Sequence, residues 1–552
     1  MAVLTGVITG YGSLAFHHLI GFLENLFLYN RIDFHLVSSL HHTRGAWIIL
    51  IPAVAIAVVA FIIEKFATEA RGHGVPEVIE AVIRKKGLIR KRVSFVKALA
   101  SSLTIGAGGS VGQEGPIVQI GSAAGSSLGQ VFRLRPNLIK TLVGCGAAGG
   151  IAATFNTPIA GVIFAVELII LELKTKSFIP LVISSVFATV ISRHYLGNEP
   201  VLSVPHFTLN HPVELIFYLG LGLLSAIVGV MTIKTLYKTE DFFENLPIHF
   251  IWKALGGGLL LGLLAYFFPE ILGVGYETVQ NALRQEATFP MMFGLIFLKI
   301  IAMSLTIAAG GSGGVFAPCF YIGAMLGGAY GFAVQGLFPD FVEGYGAYAL
   351  VGMASVFAAS SRATFTSIVI LFEMTLDYSI ILPLMFACVI ADETAHAILK
   401  ESIYSLKLKR RGLSFNTDLA VDILAITPIK QIMSTDLEVL RNDMTLKEAE
   451  EVIKQNSHAI YPVVDRQGVL YGICRTASLR AKMKELESEA KISDVIKVAP
   501  IVVYPDETAQ NAIKKIGKAR DPRILVVSPN EKKLLGIVAP RDLIRLNNSK
   551  DS

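Results

Sequence analysis

The sequence predicts an all-α polytopic membrane domain, an inverted repeat of broken and tilted helices, followed by a cytoplasmic pair of small α/β units. Three observations carry this. Uncharged apolar runs of membrane length recur through the first three quarters of the chain. One glycine-rich motif occurs twice, about 200 residues apart. After Gly412 charged residues become frequent and the pattern turns α/β. The membrane part is therefore placed at 1–412, in halves 1–212 and 213–412. A linker at 413–426 and two soluble units at 427–484 and 491–549 complete the chain.

Composition agrees with this class. Hydrophobic residues make up 53% of the 552 and charged residues 17%, and mean hydropathy is +0.58, values that do not suit a soluble globular protein. Gly45–Ile63, Thr141–Val166 and Leu215–Ile233 contain no Asp, Glu, Lys or Arg, and Ile300–Pro339 has none across forty residues. Runs of this length read as membrane helices, or as two joined by a break. The 49 glycines fit close helix packing and broken helices.

Residues 1–44 hold one apolar stretch without a basic leader or an Ala-x-Ala site, so that segment is expected to remain in the protein. His17, His18, His35, His41 and His42 fit no zinc spacing, and no metal site is expected. The four cysteines are far apart, form no C-x-x-C and read as structural. The net charge of +6 reads as topology and not as nucleic-acid binding, because Arg84-Lys85-Lys86, Arg90-Lys91-Arg92 and Lys407-Lys409-Arg410-Arg411 flank apolar spans. The positive-inside rule puts these clusters in the cytoplasm.

After the Gly45–Ile63 span comes Gly72-His73-Gly74-Val75-Pro76-Glu77. Glycines, then proline, then an acid form a helix start. His73 lies in the loop before it, and taken alone also reads as an incidental residue beside a membrane-edge cap. The thirty-five residues from Ala98 to Phe132 carry one charge, Glu114. A carboxylate at membrane depth costs roughly 2.5–3.5 kcal/mol on insertion scales and is kept where protein or water solvates it. The glycines around it break one helix and begin another, and a helix start offers free N–H groups and a positive dipole end. Further spans follow at Thr141–Val166, Ser177–Ser192, Leu215–Ile233, Ala254–Pro269, Ile300–Pro339 and 345–391.

The repeat aligns Ala107-Gly108-Gly109-Ser110-x-Gly112 with Ala309-Gly310-Gly311-Ser312-x-Gly314, and Pro116 with Pro318, at an offset of 202. Leu142-Val143-Gly144 then matches Leu350-Val351-Gly352 at 208. Duplicated halves with corresponding helix breaks point to a transport site at the half interface. In the soluble part, each unit opens with a short segment (Ile429–Met433, Ile492–Ile496). A helix after Thr445 or Thr508, a strand (Ala459–Val464, Arg523–Val527) and a Gly-Ile pair (Gly472-Ile473, Gly536-Ile537) leading to a short helix follow.

Stretches 72–77, 112–116 and 313–318 are each a glycine-rich turn running into a helix start. Helix N-termini aimed at one point make an anion site without a buried lysine, so that a small anion binds and still leaves. Glu114, when ionised, competes with that anion, and a carboxylate that swaps with the ligand links proton and anion movement.

The chain resembles the CLC chloride channels and chloride–proton antiporters that carry a C-terminal pair of CBS domains. Gly112-Gln113-Glu114-Gly115-Pro116 is similar to the family's G-(K/R)-E-G-P, Gly72-His73-Gly74-Val75-Pro76 to G-S-G-I-P, and Gly314-Val315-Phe316-Ala317-Pro318 to G-x-F-x-P. The resemblance implies a homodimer in the lipid bilayer, with one chloride pathway per subunit and no cofactor requirement. It implies Glu114 as external gate and proton acceptor. The anion would be lined by His73, Gly74, Gln113, Glu114, Gly115, Val315, Phe316 and Ala317, with Tyr404 at the inner boundary. For the CBS pair it implies a possible adenine-nucleotide site at Arg541 and Asp542, with Ser478 as counterpart in the first unit; simple packing at the dimer base is the other reading.

Three departures stand out. Gln113 occupies the place of a base. His73 replaces a serine hydroxyl and supplies one N–H, or a charge near neutral pH. Leu168 stands where many exchangers have an internal proton-transfer glutamate; Glu167 is one residue away, about 100° round the helix, and reads as structural. Chloride–proton exchange is the leading expectation, a passive voltage- or pH-gated chloride channel the alternative. A membrane-anchored nucleotide sensor needs neither the repeat nor Glu114. With no nucleophile–base pair or metal set, enzyme chemistry is not expected. The location expected is a prokaryotic plasma membrane.

Overall fold

The computed structural model describes the chain except residues 35–44, 172–174, 199–201, 203, 205–210, 343, 414–426, 456–457, 484, 486–488, 495, 497–499, 517–522 and 543–552. His35, His41, His42 and nearly all of the 413–426 linker thus lie outside the described residues. Two units are separable, Met1–Phe415 and Asn416–Ser552.

The first unit is helical, and among the described residues nine helices are long and apolar enough to cross a membrane. The uncharged runs break where left-handed residues interrupt them. Thr141–Val166 divides at Asn156 (φ 60°) into Pro136–Phe155 and Pro158–Phe164, continued by a wider turn over Ala165–Ile170. Ile300–Pro339 divides into Phe289–Ala308 and Phe316–Leu337, and the Glu114 stretch into Lys91–Gly106 and Glu114–Val131. Gly108 and Gly310 take φ of 88° and 105°, the left-handed step that ends a helix and that only glycine adopts at no cost. The following amides close the end: Gly109 donates to the Thr104 carbonyl at 2.8 Å and Gly311 to that of Thr306 at 2.9 Å.

The halves meet through reciprocal contacts. Ser312 donates its amide to Thr104 Oγ1 (3.1 Å), and Ser110 donates its amide to Thr306 Oγ1 (3.2 Å). Residue i on j′ together with i′ on j is the mark of a twofold relation. Small residues let backbones touch: a Cβ on Gly121 would lie 2.3 Å from the Gly146 carbonyl, and one on Gly323 2.2 Å from that of Gly352. This equivalence corrects the alignment of the later helices. Gly146, not Gly144, is the counterpart of Gly352, an offset of 206 and not 208. Backbone contact, and not the Leu-Val-Gly string, sets the register.

The second unit holds two three-stranded sheets: Leu440–Arg441, Ile460–Val464, Leu470–Arg475, and Val502–Val503, Ile524–Val527, Leu534–Val538. In each, the first pair is parallel and the second antiparallel. The Gly-Ile pairs fall inside the last strands. The opening segments are exchanged. Ile429 packs with Val503, Ala509 and Val526 of the second repeat, while Ile492 packs with Leu440, Leu446 and Tyr461 of the first. The Ile429 amide bonds the Glu507 carbonyl at 2.8 Å and the Ile492 amide that of Met444 at 3.0 Å. Neither core is therefore completed by a continuous stretch of sequence.

Candidate anion-binding site

Three helix breaks are stitched together by short backbone bridges. Gly112 and Gly314 exchange both hydrogen bonds, at 2.8 and 2.6 Å, and Gly313 donates to the Gly72 carbonyl at 3.4 Å. The approach leaves no room for side chains: a Cβ on Gly115 would sit 2.1 Å from the His73 carbonyl, and one on Gly74 2.7 Å from that of Gly115. From this knot start the helices Val75–Ile83, Glu114–Val131 and Phe316–Leu337, none with a hydrogen bond from a capping side chain. The Val75 amide turns back on the His73 carbonyl at 3.1 Å; the dipole ends and the other first-turn amides face an acceptor from outside their own helix.

Glu114 is fully buried. Its Oε2 lies over Gly112, where a Cβ would be 2.0 Å away, and accepts from the Ala317 amide at 3.4 Å. Its Oε1 accepts from the Tyr276 hydroxyl at 3.3 Å. Phe316 turns its ring into an apolar cluster, 3.9 Å from Phe357 and 4.9 Å from Phe320 between centroids, so what it and its buried neighbours Val315 and Ala317 offer the site is backbone. His73 is 2% exposed, and both of its ring nitrogens are buried without a partner. Its ring centroid lies 6.1 Å from that of Tyr404.

Tyr404 is held from several sides. The Ile403 amide bonds the Ser360 carbonyl (2.8 Å) and the Ile403 carbonyl accepts from the Tyr237 hydroxyl (2.5 Å). Past the short helix Ser405–Arg410, Arg411 grips Glu77 at 2.6 Å and Glu80 at 3.0 Å, while Lys407 pairs with Glu240 at 2.8 Å. The 72–77, 112–116, 313–318 and 404 stretches are thus brought together. Gln113 lines a cavity of about 390 Å³ on the far side of Glu114, together with Tyr276.

Two lysines the sequence reading did not single out are buried behind the site. Lys97 and Lys299 are fully buried. Lys97 Nζ donates to the carbonyls of Ala70 (3.0 Å) and Gly72 (2.7 Å), and Lys299 Nζ to those of Ile271 (3.0 Å) and Gly273 (2.8 Å). Each ammonium ties down the loop before a short helix and stands behind the backbone of the site. The two lie 202 residues apart, so the repeat offset was the signal that could have found them. Tyr276 gave no sequence signal.

Leu168 is buried. Glu167 beside it accepts from the amides of Phe365 (3.1 Å) and Thr366 (2.8 Å) and from the Thr366 hydroxyl (2.6 Å), a helix cap as the structural reading requires. Arg541 and Asp542 belong to the C-terminal unit, where Asp542 Oδ2 accepts from the Ala539 amide at 2.8 Å and Arg541 is exposed. No group of three or more His, Cys, Asp or Glu side chains that could hold a metal occurs among the described residues.

The fold and the knot of helix starts define a polytopic membrane protein of the CLC type joined to a CBS pair. The family described as voltage gated chloride channel matches residues 54–396 and the CBS domain matches 429–485 and 492–548, and the chain belongs to the voltage gated chloride channel family. It is 32% identical over 424 residues to the H(+)/Cl(-) exchange transporter ClcA of Salmonella arizonae, covering 74% of this chain and 88% of that one. It is 34% identical over 341 residues to a putative chloride channel protein ClcB-like of Ralstonia nicotianae, covering 61% and 80%. Among solved structures it resembles a slow cyanobacterial Cl−/H+ antiporter (TM-score 0.66, 26% identity, 76% of this chain and 97% of that one). A eukaryotic CLC transporter shares the fold over 98% of this chain and 97% of its own (TM-score 0.61, 23% identity).

Proposed function

We propose that this protein carries chloride, or a similar small anion, across the bilayer in exchange for protons, with Glu114 as the external gate and proton acceptor. One observation carries the reading: a fully buried carboxylate rests on the Ala317 amide among three helix N-termini without side-chain caps. Ionised, Glu114 fills the place of an anion; protonated, it loses its claim on those amides and the anion enters. The relatives named as exchangers support the same direction. The bound anion would meet the amides of Glu114, Gly115, Val315, Phe316 and Ala317, with Gly74 and Gln113 at the edges and Tyr404 at the inner boundary. The unpartnered ring of His73 would add one N–H and bias selection among anions.

The working unit of this reading is a homodimer with one pathway per subunit. On this reading the CBS pair lies in the cytoplasm, the side that the positive-inside rule favours for the basic clusters, and an adenine nucleotide at Arg541 and Asp542 would regulate transport there; the bacterial relatives favour a prokaryotic plasma membrane. A passive chloride channel is the second reading, favoured by Leu168, which puts no acid on the inner side. Paired chloride and proton fluxes in liposomes separate them. Uphill proton movement driven by a chloride gradient, lost in Glu114→Gln, supports exchange. Chloride flux without protons makes the protein a channel, and no anion flux removes both.

A further inference from the structure

We infer that Tyr276 is an outer latch for the gate, a positioning residue that holds the Glu114 carboxylate in its blocking position from the side opposite Ala317. This rests on the exchange reading above. The carboxylate is held at two points, by the Tyr276 hydroxyl on Oε1 at 3.3 Å and the Ala317 amide on Oε2 at 3.4 Å. Gln113, the residue before the gate, lines the same cavity as Tyr276. Where the family motif has a base, this chain has a neutral amide, and the side chain that reaches Glu114 Oε1 is the Tyr276 hydroxyl.

The position of the hydroxyl is built in by its surroundings. Tyr276 opens the helix Tyr276–Leu283, directly after the loop whose carbonyls, at Ile271 and Gly273, Lys299 holds. The ammonium also lies 4.6 Å from the Tyr321 ring centroid, a cation–π contact. That ring closes on the loop from behind, since a Cβ on Gly275 would meet it at 2.7 Å. The Gly273 amide bonds the Gly108 carbonyl at 3.4 Å, tying the loop to the break that precedes Glu114.

The repeat supplies a comparison within one chain. In the first half Lys97 holds Ala70 and Gly72 in the same way, and the helix it sets up begins at Val75. In the second half the equivalent helix begins at Tyr276. Two copies of one scaffold thus differ in the residue at the helix start: Val75 carries no polar group, whereas Tyr276 carries the hydroxyl that reaches Glu114. Tyr276 also lines the 390 Å³ cavity with His17, Glu24, Tyr29, Glu270 and Glu277, which are the titratable groups, with Lys299 and Tyr321 behind the loop, that bear on any pH response read at this site. The hydroxyl therefore lies between the buried carboxylate and that cavity.

A hydrogen bond to an ionised acceptor is stronger than one to a neutral acceptor. The latch therefore favours the charged, blocking state of the gate and lapses when Glu114 is protonated. Without the hydroxyl, an anion competes better with the ionised carboxylate, and anions pass without a matching proton.

The test uses the full chain in liposomes, wild type against Tyr276→Phe, which keeps the ring. At acid pH the two should carry chloride at equal rates, which also shows that the variant is folded. At alkaline pH Tyr276→Phe should carry chloride several-fold faster with fewer protons per chloride, and the difference should vanish in a Glu114→Gln background. An unchanged pH profile and an unchanged ratio would overturn the latch. Infrared difference spectra give a readout that needs no transport: the carboxylate band assigned by Glu114→Gln should shift in Tyr276→Phe, and an unshifted band refutes the contact. If the wild type moves no chloride, the exchange reading fails by itself and the infrared result still decides the latch.

Discussion

Glu167 and Glu373, 206 residues apart, cap each other's neighbouring helix. Glu167 accepts from the amides of Phe365 and Thr366, at the start of Thr364–Thr375, and Glu373 accepts from those of Ile159 (3.0 Å) and Ala160 (2.7 Å), at the start of Pro158–Phe164. The amides are themselves 206 residues apart, so the pair is a second reciprocal lock between the halves. It occupies the carboxylate nearest to Leu168 with structural work. Replacing either acid by Ala leaves first-turn amides unmet, a loss of about 1–3 kcal/mol. We predict a lowered thermal midpoint in detergent for Glu167→Ala and Glu373→Ala, with the proton-to-chloride ratio unchanged in the milder Glu167→Gln. Lost coupling in Glu167→Gln at unchanged stability would make Glu167 a proton carrier instead.

The knot of glycines predicts a sharp steric effect. Gly115→Ala drives a methyl to 2.1 Å from the His73 carbonyl, and backbone on both sides has little freedom to move. Overpacking of this kind costs about 1–3 kcal/mol. The variant should lose anion flux even where it remains folded, as read by flux and size-exclusion profile together. Wild-type flux in Gly115→Ala would contradict the close approach.

The buried lysines predict two different phenotypes from one chemical change. Lys97→Met releases the carbonyls behind His73, and Lys299→Met those behind Tyr276. Each hydrogen bond lost from a charged donor costs about 1.5–3 kcal/mol, while the Ala70 and Gly72 carbonyls keep the Ser312 hydroxyl (2.9 Å) and the Gly313 amide (3.4 Å). Lys97→Met should weaken chloride binding measured by calorimetry. Lys299→Met should leave binding largely intact and reproduce the raised alkaline flux of Tyr276→Phe. Identical effects in both would argue that the lysines serve stability alone.

In the C-terminal unit the exchanged segments can be tested by proteolysis. Ile429→Ala opens a hole in the core of the second repeat and Ile492→Ala in that of the first, each at about 2–5 kcal/mol. New cleavage sites should therefore appear beyond residue 500 for Ile429→Ala and between 440 and 483 for Ile492→Ala. The opposite assignment would refute the exchange.

The membrane class, the breaks at 107–113 and 309–315 and the helix start at Val75 were legible because uncharged length, glycine and proline act locally. So was the gathering of His73, Glu114, Phe316 and Tyr404, which the motifs carry. Register in the later helices was not, since the contact between Gly146 and Gly121 depends on three-dimensional fit and a nearby Leu-Val-Gly string imitated it. Lys97 and Lys299 carry no local signal of their role, and only the 202-residue offset between them links the two. Tyr276 was invisible because its partner is 162 residues away. The swap of Ile429 and Ile492 was hidden for the same reason: two similar repeats look self-contained in sequence whichever core their first segments join.

On this mechanism the Glu114 carboxylate and the transported anion compete for the same amides. Bromide-soaked crystals at alkaline pH test it most directly, because bromide marks its own position by anomalous scattering. An anomalous peak is expected within hydrogen-bonding distance of the Ala317 amide in Glu114→Gln and none at that place in the wild type. A peak of equal height there in both proteins, beside an unmoved carboxylate, would contradict it.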